Sequence, residues 1–308
     1  MPLESLTKMY PDAVKNYYAI GQFNVNNLEF IQAALEAADE MKSPIILAAS
    51  TGAQKYAGID YLVSIVRTGA EKISVPVALH LDHGATFEDA KKSIEAGFTS
   101  VMIDGSHHPF DENIRLTKEV VDYAKPFGIA VEAELGRLGG IEDDVNVDEK
   151  DARLTDPDEA VEFVERSGCD ALAVAIGTSH GAYKFKGDNV LAYDRVEAIK
   201  KKLPDMAIVL HGSSSVYAEL VERCNKFGGD IKGAKGVEDE SVKKAISLGV
   251  NKVNIDTDLR LAWTGAMRQM LAEKPENIDP RKVLGPAREA VKEVIKRKME
   301  VLGSAGRA

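Results

Sequence analysis

Cysteine is nearly absent. The two present, Cys169 and Cys224, form no Cys-x-x-Cys pair. A disulfide framework and a cysteine-based zinc site are therefore not expected, and the thiols read as inert groups in a reducing compartment. Basic charge is also in short supply. Lys and Arg number 39 against 49 Asp and Glu, a net charge of −10 with no basic tract, which argues against binding DNA, RNA or an anionic membrane. No apolar run approaches the roughly 18–20 residues that cross a bilayer. Met1–Leu6 lacks the basic and apolar regions of a secretory signal. The expectation is a soluble, cytoplasmic protein. Gly-x-Gly-x-x-Gly does not follow the first predicted strand, which weakens a dinucleotide-binding open sheet. Internal repeats and low-complexity stretches are missing as well.

What is present is alternation. The chain has 308 residues, 44 % of them hydrophobic, enough for a sizeable core. Short apolar runs read as strands over 19–25, 44–50, 77–84, 100–104, 129–135, 170–176, 206–210 and 251–256. Between them, patterns of helical period cover 28–41, 61–73, 87–96, 111–127, 157–167, 193–202 and 241–248. Residues 258–302 read as two or three helices broken at Pro275, Pro280 and Pro286. Eight strands alternating with helices predict an α/β chain forming one (β/α)8 TIM barrel over 1–308, with extra C-terminal helices from about 258. One connection is unusually long, about 136–156. It is glycine-rich at first and then acidic, and reads as a mobile lid.

Barrel enzymes place their chemistry at the C-terminal ends of the strands. Here those ends carry Asn24, Ser50, Asp82 with His83, Asp104, Glu134, the loop with His180, His211, and Asp256. Capping explains one polar strand end; it does not readily explain a ring of them. His83, His180 and His211 follow strands three, six and seven, and three converging imidazoles suit Zn²⁺ with a fourth position open. His80 lies inside its strand and reads as a packed supporting donor, while His107 and His108 read as loop residues. Gly212-Ser213-Ser214-Ser215 directly follows His211, and Gly177–Gly181 flanks His180. Small residues let main-chain N–H groups approach an anion. Asn254, Asp256 and Thr257 end strand eight in the position where barrels commonly hold phosphate, and Lys184 and Arg260 can supply charge. Asp82 and His83 are neighbours, so in a regular strand they point to opposite sides. Only a bend at the strand end lets both face a ligand.

Two segments, Val77-Ala78-Leu79-His80-Leu81-Asp82-His83-Gly84 and Val131-Glu132-Ala133-Glu134-Leu135-Gly136-Arg137-Leu138-Gly139-Gly140-Ile141-Glu142, resemble motifs of the class II, zinc-dependent fructose-bisphosphate aldolases. Gly177–Gly181, His211–Ser215 and Asn254–Asp258 match in order and spacing. The resemblance covers essentially the whole chain and is to the shorter, class IIB branch. It implies that His83, His180 and His211 hold the catalytic Zn²⁺, with Asp104 and Glu134 at a second, auxiliary divalent position. Asp82 would act on the C4 hydroxyl, and Glu142 in the acidic loop would handle the proton on the enediolate carbon. Gly181, Lys184, Gly212, Ser213, Ser214, Asn254, Ile255, Asp256 and Thr257 would cradle the dihydroxyacetone-phosphate end, with a monovalent cation, Na⁺ or K⁺, nearby. Ser50 and Arg260 would take the other phosphate. Arg281 resembles an arginine lent across a subunit contact, implying a homo-oligomer, dimer or tetramer. Tyr217 departs from the family pattern, where many relatives carry proline.

The implied reaction is reversible cleavage of fructose 1,6-bisphosphate to dihydroxyacetone phosphate and glyceraldehyde 3-phosphate, a glycolytic and gluconeogenic step. A Schiff-base aldolase would need an inward lysine near the strand ends, and the strand interiors offer only Lys252, at the start of strand eight. A tagatose-1,6-bisphosphate aldolase differs in C4 configuration alone, but the Asn254–Arg260 segment is typical of fructose enzymes. A zinc hydrolase acting on a sugar phosphate is a more distant alternative, and two phosphate sites beside the metal favour a bisphosphate. The full set of acid and base candidates argues against a non-catalytic binding protein.

Overall fold

In the computed structural model, residues 3–142, 145–147, 152–182 and 191–308 are described, with 141, 142 and 145–147 by backbone alone. In chain order the strands are β1 (Ile20–Asn24), β2 (Ile45–Ser50), β3 (Val77–Gly84), β4 (Ser100–Ile103), β5 (Ala130–Leu135), β6 (Gly139–Glu142), β7 (Val145–Val147), β8 (Ala171–Val174), β9 (Ser179–His180), β10 (Ala207–Leu210) and β11 (Val250–Ile255). The helices are α1 (Leu6–Asn16), α2 (Leu28–Met41), α3 (Thr51–Ala57), α4 (Ile59–Ala70), α5 (Phe87–Ala96), α6 (Phe110–Ala124), α7 (Pro157–Ser167), α8 (Tyr193–Lys202), α9 (Ala218–Lys226), α10 (Asp239–Ser247), α11 (Thr257–Glu273) and α12 (Pro280–Val301).

Eight strands close into a parallel barrel in the order β1-β11-β10-β8-β5-β4-β3-β2, as the alternation predicts. The strands are buried on both faces, which is why they read as nearly continuous apolar runs. Successive side chains alternate between barrel interior and helix layer. Toward the N-terminal end the interior is small and apolar, with Ile20, Ile46, Ala78, Ala130, Ala171 and Ala207. Helix α1, absent from the sequence-based assignment, plugs this end with Leu6, Met9, Tyr10 and Ala13. One step further along, the same inward faces turn polar, with Gln22, His80, Glu132 and Lys252, all fully buried. The barrel therefore has an oily floor under a polar centre.

Local signals fix several helix starts. Asn27 caps α2, its side chain accepting from Phe30 N at 2.9 Å, worth about 1 kcal/mol. Thr86 and Asp89 form a reciprocal capping box at α5. Helices α3 and α9 lie where no helix was assigned from sequence. Both are short, and short helices gain most of their stability from packing rather than pattern. Pro286 does not break the C-terminal region. It sits in the second turn of α12, where it forfeits one hydrogen bond to Lys282 O, and the helix continues through it to Val301. The stretch read as a single long loop carries β6 and β7, an antiparallel hairpin. β6 also pairs in parallel with β9, setting Gly139 against Ser179 and Gly140 against His180. Gly140, at φ +103, comes so close to the His180 backbone that no Cβ would fit.

Candidate active site

Asp82 is the last inward-facing residue of β3 and is buried in a nest of amides. Gln22 Nε2 (3.0 Å) and Asn254 Nδ2 (3.2 Å) donate to its Oδ1, and Asn24 Nδ2 (2.8 Å) donates to Oδ2. These three donors come from β1 and β11, which pair with each other and lie beyond β2 from Asp82. Burial alone would raise the Asp82 carboxyl, but the imidazoles of His83 and His211 and the Lys252 ammonium outweigh it and hold it well below the usual carboxylate range.

The bend that Asp82 and His83 require is present. His83 adopts φ +46, a left-handed conformation uncommon outside glycine, and the β3–β4 register slips between Leu81 and Gly84. This irregularity rotates His83 from the helix side to the barrel mouth, beside Asp82. Irregular strand ends of this kind re-aim side chains next to active sites, and the strain is held by its surroundings.

Three imidazoles meet there. The His83 ring lies 5.0 Å from that of His180 and 4.7 Å from that of His211, both edge-on. The partners on the far side of two rings fix their tautomers. His83 Nδ1 bonds Asp104 Oδ2 at 2.9 Å, and His211 Nε2 bonds Glu132 Oε1 at 2.9 Å. Each carboxylate accepts a hydrogen bond from its ring N–H, so the remaining nitrogens, His83 Nε2 and His211 Nδ1, turn inward, only 3.1 Å apart. Two facing lone pairs repel unless a proton or a metal ion lies between them. His180 contributes a third nitrogen within 4.8 Å of the others, and His83, Asp104 and Glu134 form a second such group. Glu134 Oε2 is buried without a hydrogen-bond partner, 3.4 Å from His211 Nδ1. Imidazole nitrogens with a spare carboxylate oxygen fit a borderline divalent cation such as Zn²⁺.

The local charge asks for a cation as well. Burial and the neighbouring Asp104 push the Glu134 carboxyl well above its usual range. Burial would lower His83, but Asp82, Asp104 and Glu134 override it and raise the imidazole well above normal. Beneath them, Glu132 Oε2 holds Lys252 Nζ at 2.6 Å, both fully buried. Burial would raise Glu132, yet the Lys252 ammonium and the His211 bond bring it down to about 2. Lys252 thus points into the barrel from the lower half of β11, in register with Ile20, and pairs with Glu132. His80 stays neutral, lowered to about 3 by burial and then by Lys252, with Nδ1 on Ser100 Oγ at 2.8 Å. It supports the site from below.

The remaining candidates ring the mouth. Ser50 is buried at the end of β2 and caps α3. Gly181 follows β9 at φ +82. Gly212, at φ +61, packs against the Ser179 backbone with no room for a Cβ, which brings the two small-residue loops together. Ser213 Oγ donates to His211 O, and Asp256 N donates to Ser214 Oγ at 3.3 Å. Asp256 holds Arg260 through two bonds, Nε–Oδ1 at 2.9 Å and Nη2–Oδ2 at 2.7 Å. Thr257 opens α11. The Ile255 side chain faces the helix layer and belongs to the outer core. Arg281 is 89 % exposed at the start of α12, paired with Asp279. The Glu142 side chain and Lys184 lie outside the described residues.

Sequence reasoning missed Gln22, Glu132, Asp258 and Lys298 (the last two behind the loop that follows His211). Period two could have found Glu132, because it shares the inward face of Glu134. The others follow from pairing across the barrel or from helix packing, which a single strand does not reveal.

The family model described as fructose-bisphosphate aldolase class-II matches residues 4–230 and 231–307. A fructose-bisphosphate aldolase of Thermus caldophilus is 58 % identical over 291 residues, 94 % of this chain and 95 % of that protein. One from Giardia intestinalis is 51 % identical, covering 100 % of this chain and 95 % of its own. Among solved structures, the YdjI aldolase from Escherichia coli K12 superposes with a TM-score of 0.79 at 35 % identity, over 99 % of both chains.

Proposed function

The chain belongs to the class II fructose-bisphosphate aldolases, and from that premise we propose that its barrel mouth works as a zinc site of the class IIB kind. The protein is a lyase that cleaves fructose 1,6-bisphosphate to dihydroxyacetone phosphate and glyceraldehyde 3-phosphate. In this reading His83, His180 and His211 hold the catalytic Zn²⁺. The observation that carries it is the pair of tautomer-fixed nitrogens, His83 Nε2 and His211 Nδ1, facing each other at 3.1 Å. Asp104 and Glu134 serve a second divalent position. When bound, the metal supplies Lewis-acid stabilisation of the enediolate left when the C3–C4 bond breaks.

The rest of the work falls to the chain itself. Asp82, kept ionised and aimed by Gln22, Asn24 and Asn254, takes the C4 hydroxyl proton in cleavage and returns it in condensation. Glu142 serves the enediolate carbon. Gly181, Lys184, Gly212–Ser214 and Asn254–Thr257 bind the dihydroxyacetone-phosphate end with main-chain N–H groups and hydroxyls, and a monovalent cation, Na⁺ or K⁺, sits nearby. Ile255 takes part through its backbone, since its side chain points outward. Ser50 and Arg260 bind the other phosphate, and Asp256 pre-orients the guanidinium. Arg281 acts in a neighbouring subunit of a dimer or tetramer.

Chelation tests the proposal. Removing the metal abolishes cleavage, and adding Zn²⁺ restores it. Full activity after verified metal removal refutes the zinc role. Comparing cleavage of the fructose and tagatose bisphosphates on the same preparation checks the C4 preference.

A further inference from the structure

The loop after His211 is pinned from behind by buried groups that make no contact with the histidine cluster. Asp258, fully buried in the first turn of α11, accepts two consecutive main-chain N–H groups. Ser215 N donates to Oδ2 at 2.8 Å and Val216 N to Oδ1 at 2.6 Å. Val216 stands at φ +50, a conformation that a β-branched residue adopts only when its surroundings enforce it. Lys298, near the end of α12 and 2 % exposed, completes the arrangement. Its Nζ lies 3.2 Å from both Asp258 Oδ2 and Asp239 Oδ1, and 2.5 Å from Ser215 Oγ. Tyr217, the residue that departs from the family pattern, bonds Asp239 through its hydroxyl at 2.9 Å and receives the Arg297 guanidinium 3.5 Å from its ring centre. The C-terminal helix is thereby fastened to the back of a loop whose front is Gly212–Ser214.

We propose that Asp258 and Lys298 are positioning residues for phosphate recognition. Asp258 takes up the N–H groups of Ser215 and Val216 and enforces the kink at Val216. Lys298 neutralises Asp258 and ties Ser215 to α12. The N–H groups of Gly212–Ser214 are then left to an anion, on a loop that does not have to be ordered when the substrate arrives. Preorganisation of this sort strengthens binding by removing an ordering cost. The proposal rests on the phosphate role given to Gly212–Ser214 above.

Two measurements on the zinc-loaded enzyme test it. In Lys298→Met, KM for fructose 1,6-bisphosphate and the inhibition constant of inorganic phosphate both rise about tenfold, as expected for losing one charge-assisted contact, while kcat changes far less. A merely structural lysine would lower the melting temperature and leave both constants unchanged in the folded protein, and that result overturns the proposal. Amide hydrogen exchange on the unmodified enzyme gives a second reading that needs no variant to fold. Ser215 and Val216 are protected before phosphate is added and unaffected by it, whereas Gly212–Ser214 slow when inorganic phosphate is added. Protection of Ser215 and Val216 that appears only with phosphate overturns the positioning role. Standing protection there with no slowing at Gly212–Ser214 instead overturns the phosphate role of the loop, and the two failures remain distinguishable.

Discussion

Replacing Lys252 with methionine isolates the most deeply buried charge pair beneath the site. Methionine fills much the same volume and removes only the ammonium. Lys252 Nζ sits 2.6 Å from Glu132 Oε2, and neither side chain is more than 1 % exposed. At an effective dielectric of 20 the Coulomb attraction at that distance is about 6 kcal/mol. Much of it offsets the cost of taking both charges out of water. Removing one partner exposes the other's desolvation cost, typically about 3–5 kcal/mol. The single variant should therefore lose about that much in urea unfolding of the metal-free protein, while Lys252→Met with Glu132→Gln should lose less, because no unpaired charge remains. The pair also governs His211. Without a charged acceptor at Nε2 the ring is less firmly held in the tautomer that points Nδ1 inward, so Glu132→Gln alone should weaken zinc binding about 10–100-fold in a chelator competition. A loss of less than about 1 kcal/mol in Lys252→Met would refute the description of this pair as a buried, mutually dependent unit.

Asp82→Asn keeps shape and burial but removes the base, so kcat should fall about 10²–10⁴-fold with zinc content unchanged; a near-normal kcat would take Asp82 out of the proton transfer. His80 is shifted from 6.5 to about 3 in the folded state. The folded protein therefore binds fewer protons than the unfolded chain between those values. This contribution to stability is complete above pH 6.5 and is lost as pH falls toward 3. In metal-free protein, His80→Asn should flatten the acid limb of stability against pH by up to about 1.4 kcal/mol per pH unit, and an identical slope would show that His80 is protonated in the fold. If Arg281 serves a neighbouring subunit, mixing inactive Arg281→Ala with inactive Asp82→Asn under subunit exchange should restore activity through hybrids with one intact site. Failure to recover any would show that Arg281 does not act in a neighbouring subunit.

Much of this was legible in the strands because a parallel barrel writes its layers in alternate residues. Ala78-His80-Asp82 and Ala130-Glu132-Glu134 each run from oily floor to polar mouth along one inward face. Strand ends were correspondingly easy to read as site positions. What stayed hidden depends on the third dimension. The left-handed turn at His83 leaves no mark in a sequence of ordinary residues, yet it decides whether Asp82 and His83 work together. Gln22 looks like any polar residue in a short strand until β1 closes against β11 and aims it at Asp82. Lys298 sits in an amphipathic helix where a lysine is unremarkable, and only the packing of α12 behind Ser215 buries it. The β6–β7 hairpin was hidden by its glycines and acids, which favour turns and solvent and gain strand structure here from pairing with β9.

That last pairing has a thermodynamic consequence. His180 occupies a rung of the same small ladder as Gly140, two residues from Glu142. An ion that holds His180 in place therefore also holds β9 as the template for β6, and a formed hairpin holds His180 ready for the ion. Linkage makes the two effects equal: whatever factor the hairpin adds to ion affinity, the ion adds to hairpin formation. Ion loading at His180 and formation of the β6–β7 hairpin would then be one coupled equilibrium, so substitutions in the hairpin would change ion affinity without touching His180.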